Sequence, residues 1–457
     1  MKKKVLSILL AAAMSVTLLV GLTACGNGND TPADPPAAEA DDTDAGDDAE
    51  AADGDDAVIA EGDNVLTVWS WDPAFNLYAI DRAAEVFRQT NPDFEVNNLE
   101  VTDIGERIII ATQTGDLDML PDILLMQDGD FLLNVTVFPE IFTDLTDSGI
   151  DFSQFAENKL SFSTVDGRNF GVPFDNGAAV LALRIDILEQ AGFTLDDFTN
   201  ITWRQFIDQG QIVLETTGYH LISEPGGGMD VFTQMMRSAG VSLFDGNDNV
   251  TFDTDPHFRL IFEQYIELVQ SEVLRWENEW DGYIASFTTG NVAGTMNGCW
   301  ILASVQLATE QAGNWRITNV PRMEGIPGAT NYATQGGSSW VVTSASQNPQ
   351  LAIDFLGATF AGSTEFYDMI LGIGALSTWL PAGDSDAYAQ PVEFFGGEPI
   401  WAQIVEFAAN VPLSYTGLYF WEARDVVATA LTNVLTDGAD IDAELANARS
   451  TLDFLMD

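Results

Sequence analysis

The chain reads as an α/β protein with two lobes, and three observations carry that expectation. Short β-rich runs alternate with stretches of helical periodicity, the order that builds parallel sheets with crossover helices. From Asn64 onward the composition turns globular and rich in aromatics. The stretch from residue 64 to residue 457 is too long for one ordinary core.

Val65-Leu66-Thr67-Val68-Trp69 is a β-rich run and predicts the first strand. Asp72-Pro73 marks a turn, and Leu77 to Thr90 then carries a helical period with Leu77, Ile80, Ala84 and Phe87 on one face. Asn91-Pro92 stops that helix, Phe94 to Val101 predicts a second strand, and Pro121-Asp122-Ile123-Leu124-Leu125-Met126 a further, buried one. Thr202-Trp203-Arg204-Gln205 has the form of a capping box. Asp255-Pro256 opens a helix whose buried side holds Phe258, Ile261, Phe262, Tyr265, Leu268 and Val269. No internal repeat is visible.

Residues 1–24 have the order of a secretory leader, with Lys2, Lys3 and Lys4 ahead of an apolar run from Val5 to Val20. Leu22-Thr23-Ala24-Cys25 then reads as a lipoprotein processing site with Cys25 as the lipidated residue. An uncleaved anchor is the competing reading, because the apolar run approaches the length of a bilayer span; Gly26 and Asn27 end it abruptly. Residues 25–63 follow as a tether. Beyond Cys25 this stretch has no aromatic, Lys or Arg but fourteen Asp or Glu, and such a composition does not offset its ordering entropy. An acidic partner-binding or calcium-collecting tail is the alternative for this stretch. The expected location is the outer face of the cell membrane.

The net charge is −53, and 56 acidic against 14 basic residues remain beyond residue 63. That excess argues against nucleic acid or anionic lipid as a partner, leaving the lipid anchor as the only expected membrane contact. Cys299 is the only other Cys, so no intramolecular disulfide is expected once Cys25 carries lipid.

Catalytic signatures are mostly absent. With only His220 and His257 there is no His-Glu-x-x-His, and there is no Gly-x-Ser-x-Gly elbow, phosphate loop or zinc Cys pair. Asp245, Asn247 and Asn249 hint at a calcium loop, but Val250 and Pro256 at its sixth and twelfth positions favour a plain acidic hairpin. Carboxylate pairs for glycoside hydrolysis carry no specificity among 70 acidic residues. No catalytic residue, cofactor or metal is expected.

Short stretches in order carry a resemblance across residues 64–457. They are Leu66-Thr67-Val68-Trp69, Pro121-Asp122-Ile123, Gly171-Val172-Pro173-Phe174 with Leu181-Ala182-Leu183-Arg184, and Thr202-Trp203 before a helix. Gly294-Thr295-Met296-Asn297-Gly298-Cys299-Trp300, Gly336-Gly337-Ser338 before a strand and Asn348-Pro349 opening a helix with Ala352 and Phe355 complete the set. In this the chain resembles the extracellular solute-binding proteins of ABC importers, the family that includes maltose-binding protein. The resemblance implies a type II periplasmic-binding-protein-like fold, each lobe a mainly parallel sheet flanked by helices. Residues 64–173 and 336–390 would form one lobe, and residues 174–335 and 391–457 the other. Hinge strands are expected near Val172 to Asp175 and Ala333 to Gly337, with a third crossing around 385–400.

The family's site carries over piecewise. Trp71 and Asp72 follow the first strand, Gln127 and Asp128 belong to the contact loop with Met126 and Asp130, and Asp175 and Asn176 lie on the crossing segment. Ser223-Glu224-Pro225-Gly226 resembles a Glu-Pro-aromatic contact, which brings in Glu224, while Trp300 and Trp421 match cleft tryptophans. Met126 and Gly226 replace aromatic residues of the family's maltose site, so maltose is not the expected ligand. Physical chemistry points the same way toward a di- or oligosaccharide. Trp71, Trp300, Trp340 and Trp421 offer faces to apolar C–H surfaces, and Asp72, Asp128, Asp175, Asn176 and Glu224 offer planar hydrogen-bonding groups. A scarcity of Lys and Arg around these positions disfavours phosphate-bearing ligands. The expected role is capture by a monomer and delivery to transmembrane permease subunits. A non-sugar solute, a sensor subunit and an extracellular glycosidase are the alternatives.

Overall fold

The computed structural model describes residues 62–456 apart from Asn176, together with Ile59. The leader, Cys25, most of the acidic tether and Asn176 therefore lie outside the described residues. In chain order the strands used below are β1 Val65–Ser70, β2 Glu95–Glu100, β3 Ile123–Gln127, β4 Val172–Asp175, β5 Ala179–Arg184, β6 Ile222–Pro225, β7 Leu274–Glu277, β8 Gly294–Gly298, β9 Trp315–Thr318 and β10 Ser338–Val342.

One sheet has the order β2-β1-β3-β10-β4, with β1 parallel to β2 and β3, and β10 antiparallel to β3 and β4. A second sheet, β8-β5-β9, is antiparallel throughout, and β6 and β7 form a separate parallel pair. The sheets are thus less parallel than expected. β5 follows β4 after a three-residue link and β10 returns from the second sheet, so neither enters through a crossover helix.

The predicted helix over Leu77 to Thr90 is α1, Tyr78–Arg88, burying Ala79, Ile80, Ala83, Ala84 and Phe87; Leu77 ends a π-helical turn, Pro73–Leu77. α2 is Glu157–Ser163. The capping box opens α3, Trp203–Thr217, where the Thr202 hydroxyl accepts from the Gln205 N–H and the Gln205 side chain accepts from the Thr202 N–H. α4 is Asp230–Ser238, and α5, Pro256–Gln270, is capped by Asp255 and buries all the predicted residues except half-buried Val269. Then come α6 Trp280–Thr288, α7 Pro349–Ala358 with Ala352 and Phe355 buried, α8 Phe420–Asp437 and α9 Ile441–Met456. Among the described residues no helix is long and apolar enough to cross a membrane.

Each sheet has its own apolar cluster. Leu66, Val68, Ile123, Leu125, Phe174, Trp340 and Phe355 belong to the first, and Val180, Ala182, Tyr283, Phe287, Trp315 and Ile317 to the second. Ile370, Ala375 and Ala382 join the first while Leu371, Leu376 and Tyr388 join the second, so the chain between 370 and 388 packs on both. Two other segments connect the sheets side by side. Ala178 bridges Thr334, the Ala179 N–H donates to the Ala333 carbonyl at 2.8 Å, and the Gln335 N–H donates to the Gly177 carbonyl at 2.7 Å.

Trp340 corrects the sequence expectation. It is fully buried between Phe174 and Phe360, with ring centroids at 5.4 and 5.5 Å, because it sits two residues into β10 on a face those rings cover. Trp340→Ala should cost about 3–5 kcal/mol of stability in urea unfolding, and Trp340→Phe, which keeps an aromatic ring there, markedly less.

Candidate ligand cavity

The strand ends of the first sheet open onto a cavity of about 530 Å³. Ligands of open α/β sheets collect at the carboxyl ends of strands, and here Trp71 and Asp72 follow β1, Gln127 and Asp128 close and follow β3, and Asp175 ends β4. Trp300, after β8, and Trp421, at the start of α8, line the same cavity. The structure therefore brings together Trp71, Asp72, Gln127, Asp128, Asp175, Trp300 and Trp421.

Local hydrogen bonds hold Trp71, Asp72, Asp128, Asp175, Trp300 and Trp421. The buried Asn76 side chain accepts from the N–H groups of Trp71 and Asp72 at 3.1 and 2.9 Å, and the Asp72 carboxylate accepts from the Phe75 N–H at 3.2 Å. Asp175 accepts from the N–H and hydroxyl of Ser338 at 2.9 and 2.5 Å. The Trp300 indole donates to the Gln335 carbonyl at 3.1 Å, and the Trp421 indole donates to Asp130 at 2.6 Å. Asp128 is paired with Lys159 of α2; burial raises its pKa to about 6, with the Lys159 ammonium opposing the rise. Burial also lifts Asp130 to about 6 against the Trp421 hydrogen bond.

Several lining residues escaped the sequence reading. Asp230, Thr233 and Arg237 line the cavity from one face of α4, a polar stripe at i, i+3 and i+7 among buried Val231, Phe232, Met235 and Met236. That spacing after a glycine-rich turn was the available signal. Arg424 of α8 also lines the cavity, lies over the Trp421 ring at 5.3 Å and donates to Asp230 at 3.1 Å. Cations are therefore present where the sequence reading expected scarcity. They are matched by carboxylates: Asp230 takes Arg424, and Arg237, whose pKa burial lowers to about 10, has Asp128 and Asp230 as charge neighbours. Trp280 opens α6 with its ring 5.8 Å from that of Trp300 and inclined by 31°, adding an exposed aromatic face.

Glu224 does not line the cavity. It is 1% exposed, accepting from the Val231 N–H at 2.9 Å, the Tyr265 hydroxyl and the Trp276 indole, the last at 3.3 Å. Its carboxylate thereby anchors the first turn of α4, which carries Asp230. In the 245–250 hairpin, Asp245 accepts from the N–H groups of Asn247 and Asn249, the acidic turn favoured over a calcium loop. Among the described residues no group of three or more His, Cys, Asp or Glu is arranged to hold a metal.

Residues 82–396 match the model of the bacterial extracellular solute-binding proteins. The chain belongs to that family. This solute-binding protein is 34% identical to the lactose-binding protein of Rhizobium radiobacter over 383 residues, which cover 83% of this chain and 90% of the relative. It is 27% identical over 297 residues to an arabinooligosaccharide-binding protein of Halalkalibacterium halodurans, covering 63% and 62% of the two chains. The ABC-transporter-associated binding protein of B. animalis subsp. lactis, solved with β-1,6-galactobiose, superposes with a TM-score of 0.71 over 86% of this chain and 98% of that one. At 20% identity this last likeness is one of fold, and it establishes the two-lobed α/β class. Family membership places the folded body on the extracellular or periplasmic side of the membrane.

The cavity and its supports carry a pH dependence of stability. Burial raises the Glu224 pKa from 4.5 to about 7, with the Tyr265 and Val231 hydrogen bonds opposing the rise. Its proton uptake therefore stabilises the fold fully below pH 4.5, and that contribution is lost as pH rises through 7. Urea unfolding should show wild type gaining stability from pH 8 to pH 5, on the order of 3 kcal/mol from this group, and Glu224→Gln losing that part of the slope.

Proposed function

We propose that this protein captures a di- or oligosaccharide in the cavity and delivers it to the transmembrane subunits of an ABC importer. One observation carries the reading: a single cavity collects aromatic faces from Trp71, Trp300 and Trp421 together with the carboxylates of Asp72, Asp128 and Asp175. A sugar ring presents an apolar C–H face and a rim of hydroxyls, which need those two kinds of surface. The volume lies within the roughly 300–1,000 Å³ of sites that enclose small ligands. Relatives that bind lactose and arabino-oligosaccharides support the class of ligand.

The process is capture without bond making, so the protein is a binding protein and not an enzyme. The boundary falls after β4 and not at residue 173, because Phe174 and Asp175 belong to the first sheet: residues 64–175 and 336–390 act as one lobe and residues 176–335 and 391–457 as the other. The paired segments 177–179 and 333–335 serve as the hinge. Ligand drives closure only through its extra affinity for the closed form. Arg237 and Arg424 do not redirect the reading to an anion, because Asp128 and Asp230 offset them. The protein works as a monomer held at the membrane by lipid on Cys25, with residues 26–63 as its tether.

Tryptophan fluorescence should change saturably with one class among lactose, β-1,6-galactobiose, arabino-oligosaccharides and maltose; silence across the panel would turn the reading to a non-sugar solute. Trp300→Ala should weaken binding of the responding sugar by about 1–3 kcal/mol with little change in melting temperature, since the residue is half-buried at the cavity wall. In cells, Cys25→Ser should move the protein from the membrane fraction to the soluble one, whereas retention would identify an uncleaved leader.

A further inference from the structure

Lysine occurs only at positions 2, 3, 4 and 159, so the folded body of this acidic chain carries one lysine ammonium, and it is buried. Lys159 Nζ lies 2.5 and 2.6 Å from the two oxygens of Asp128, with the side chains 4% and 6% exposed. Stability is a poor reason for such a pair, because well-packed apolar residues of similar volume often do as well or better in its place. Its place in the fold suggests another. Asp128 lines the cavity while Lys159 does not, so the ammonium approaches the carboxylate from the protein side.

We propose that Lys159 is a positioning residue for ligand capture, holding the Asp128 carboxylate ionised and fixed in rotation where a carbohydrate hydroxyl meets it. The proposal rests on the carbohydrate reading above. A carboxylate has about four lone-pair sites, so an ammonium on one side leaves acceptor capacity toward the cavity. The backbone is built around the pair. The Asp128 N–H donates to the Gly337 carbonyl at 3.0 Å, and Gly337, at φ +109°, has no side chain; a Cβ there would lie 2.4 Å from Asp128 Oδ2 and 3.0 Å from Lys159 Nζ.

The other charges facing Asp128 are Asp175 of β4, Asp130 of its own loop and Arg237 of α4. The two carboxylates favour the protonated acid and Arg237 opposes them. Without Lys159, burial and the acidic neighbours would leave a neutral acid that donates where the carboxylate accepts.

The test uses the full chain labelled with carbon-13 at the lysine ε position, together with lactose calorimetry of the wild type, K159M, D128N and the double variant. Without ligand, the Lys159 signal should stand apart from the three leader lysines and show a step near pH 6 that D128N lacks. At pH 7, K159M should bind lactose at least tenfold more weakly, and the acidic limb of its binding profile should move up by a pH unit or more. In the D128N background, K159M should add less than a twofold loss, because Lys159 acts through Asp128. A featureless lysine titration, K159M affinity within twofold of wild type, or a further tenfold loss in the double variant would each overturn the proposal. If K159M does not fold, the double variant, which buries no charge at this pair, and the lysine titration still decide it. A wild type that shows the lysine step yet is silent to all four sugars would refute the carbohydrate reading and not the Lys159–Asp128 coupling.

Discussion

The site depends on the close approach of two connecting segments between the sheets. Gly177 and Gln335 meet backbone to backbone, and a Cβ on Gly177 would lie 2.2 Å from the Gln335 carbonyl oxygen, so no side chain fits there without moving the crossing. From this short stretch the cavity groups are held in turn. The Gln335 carbonyl takes the Trp300 indole, its side-chain amide donates to Asp230 at 2.8 Å, the Gly337 carbonyl takes the Asp128 N–H, and Ser338 fixes Asp175. Residues from both sheets are therefore referenced to three positions, Gln335, Gly337 and Ser338, within four consecutive residues. A shift of this segment would move several cavity groups at once, so if it serves as the proposed hinge a small change there becomes a change in binding geometry.

The second constraint is electrostatic. A chain with a net charge of −53 faces the problem of building a cavity from carboxylates without making it repel hydroxyl oxygens or collapse toward protonation. It does so by local matching. Asp128 has Lys159, Asp230 has Arg424 and the Gln335 amide, and Asp175 has both donors of Ser338. Two arginines and the only lysine of the body are spent on this region of a protein that has fourteen basic residues beyond its tether. The acidic excess is thus a property of the rest of the surface and is not evidence about the cavity.

Local chemistry made much of the fold legible. β-branched and apolar runs gave β1 and β3 to within a few residues, the capping box gave α3, and Asp255-Pro256 gave the start of α5. What was illegible depends on who the neighbour is. No feature within Ser338–Val342 says that it returns antiparallel between β3 and β4, and that pairing is what buries Trp340. Glu224 entered the expected site because Ser223-Glu224-Pro225-Gly226 resembles a family contact, but its direction is set by Tyr265, forty-one residues away. Trp71, Asp72, Asp128 and Asp175 were readable because a strand end fixes where they must lie, whereas Trp280 and Arg424 reach the cavity from helices whose packing the sequence does not state.

The distribution of aromatic residues bears on how capture and closure would be coupled in the proposed cycle. Trp71 and Phe75 stand on the first sheet's side, and Trp300 follows β8 of the second sheet. Trp280 opens α6, whose Tyr283 and Phe287 join the second apolar cluster, and Phe420 and Trp421 come from α8, which packs on α5 and α9. A ligand bound to one of these groups alone would gain the same contact whether or not the others approached, and would shift no equilibrium. Only faces that meet the ligand together reward closure. The Trp421 indole bonded to Asp130, and the Gly129 backbone set against Phe420 and Trp421, join α8 to the loop after β3 by direct protein contacts. In the proposed cycle these contacts would favour the closed arrangement before a sugar arrives, so that the sugar need supply only the remaining preference and affinity is not consumed in driving the lobes together.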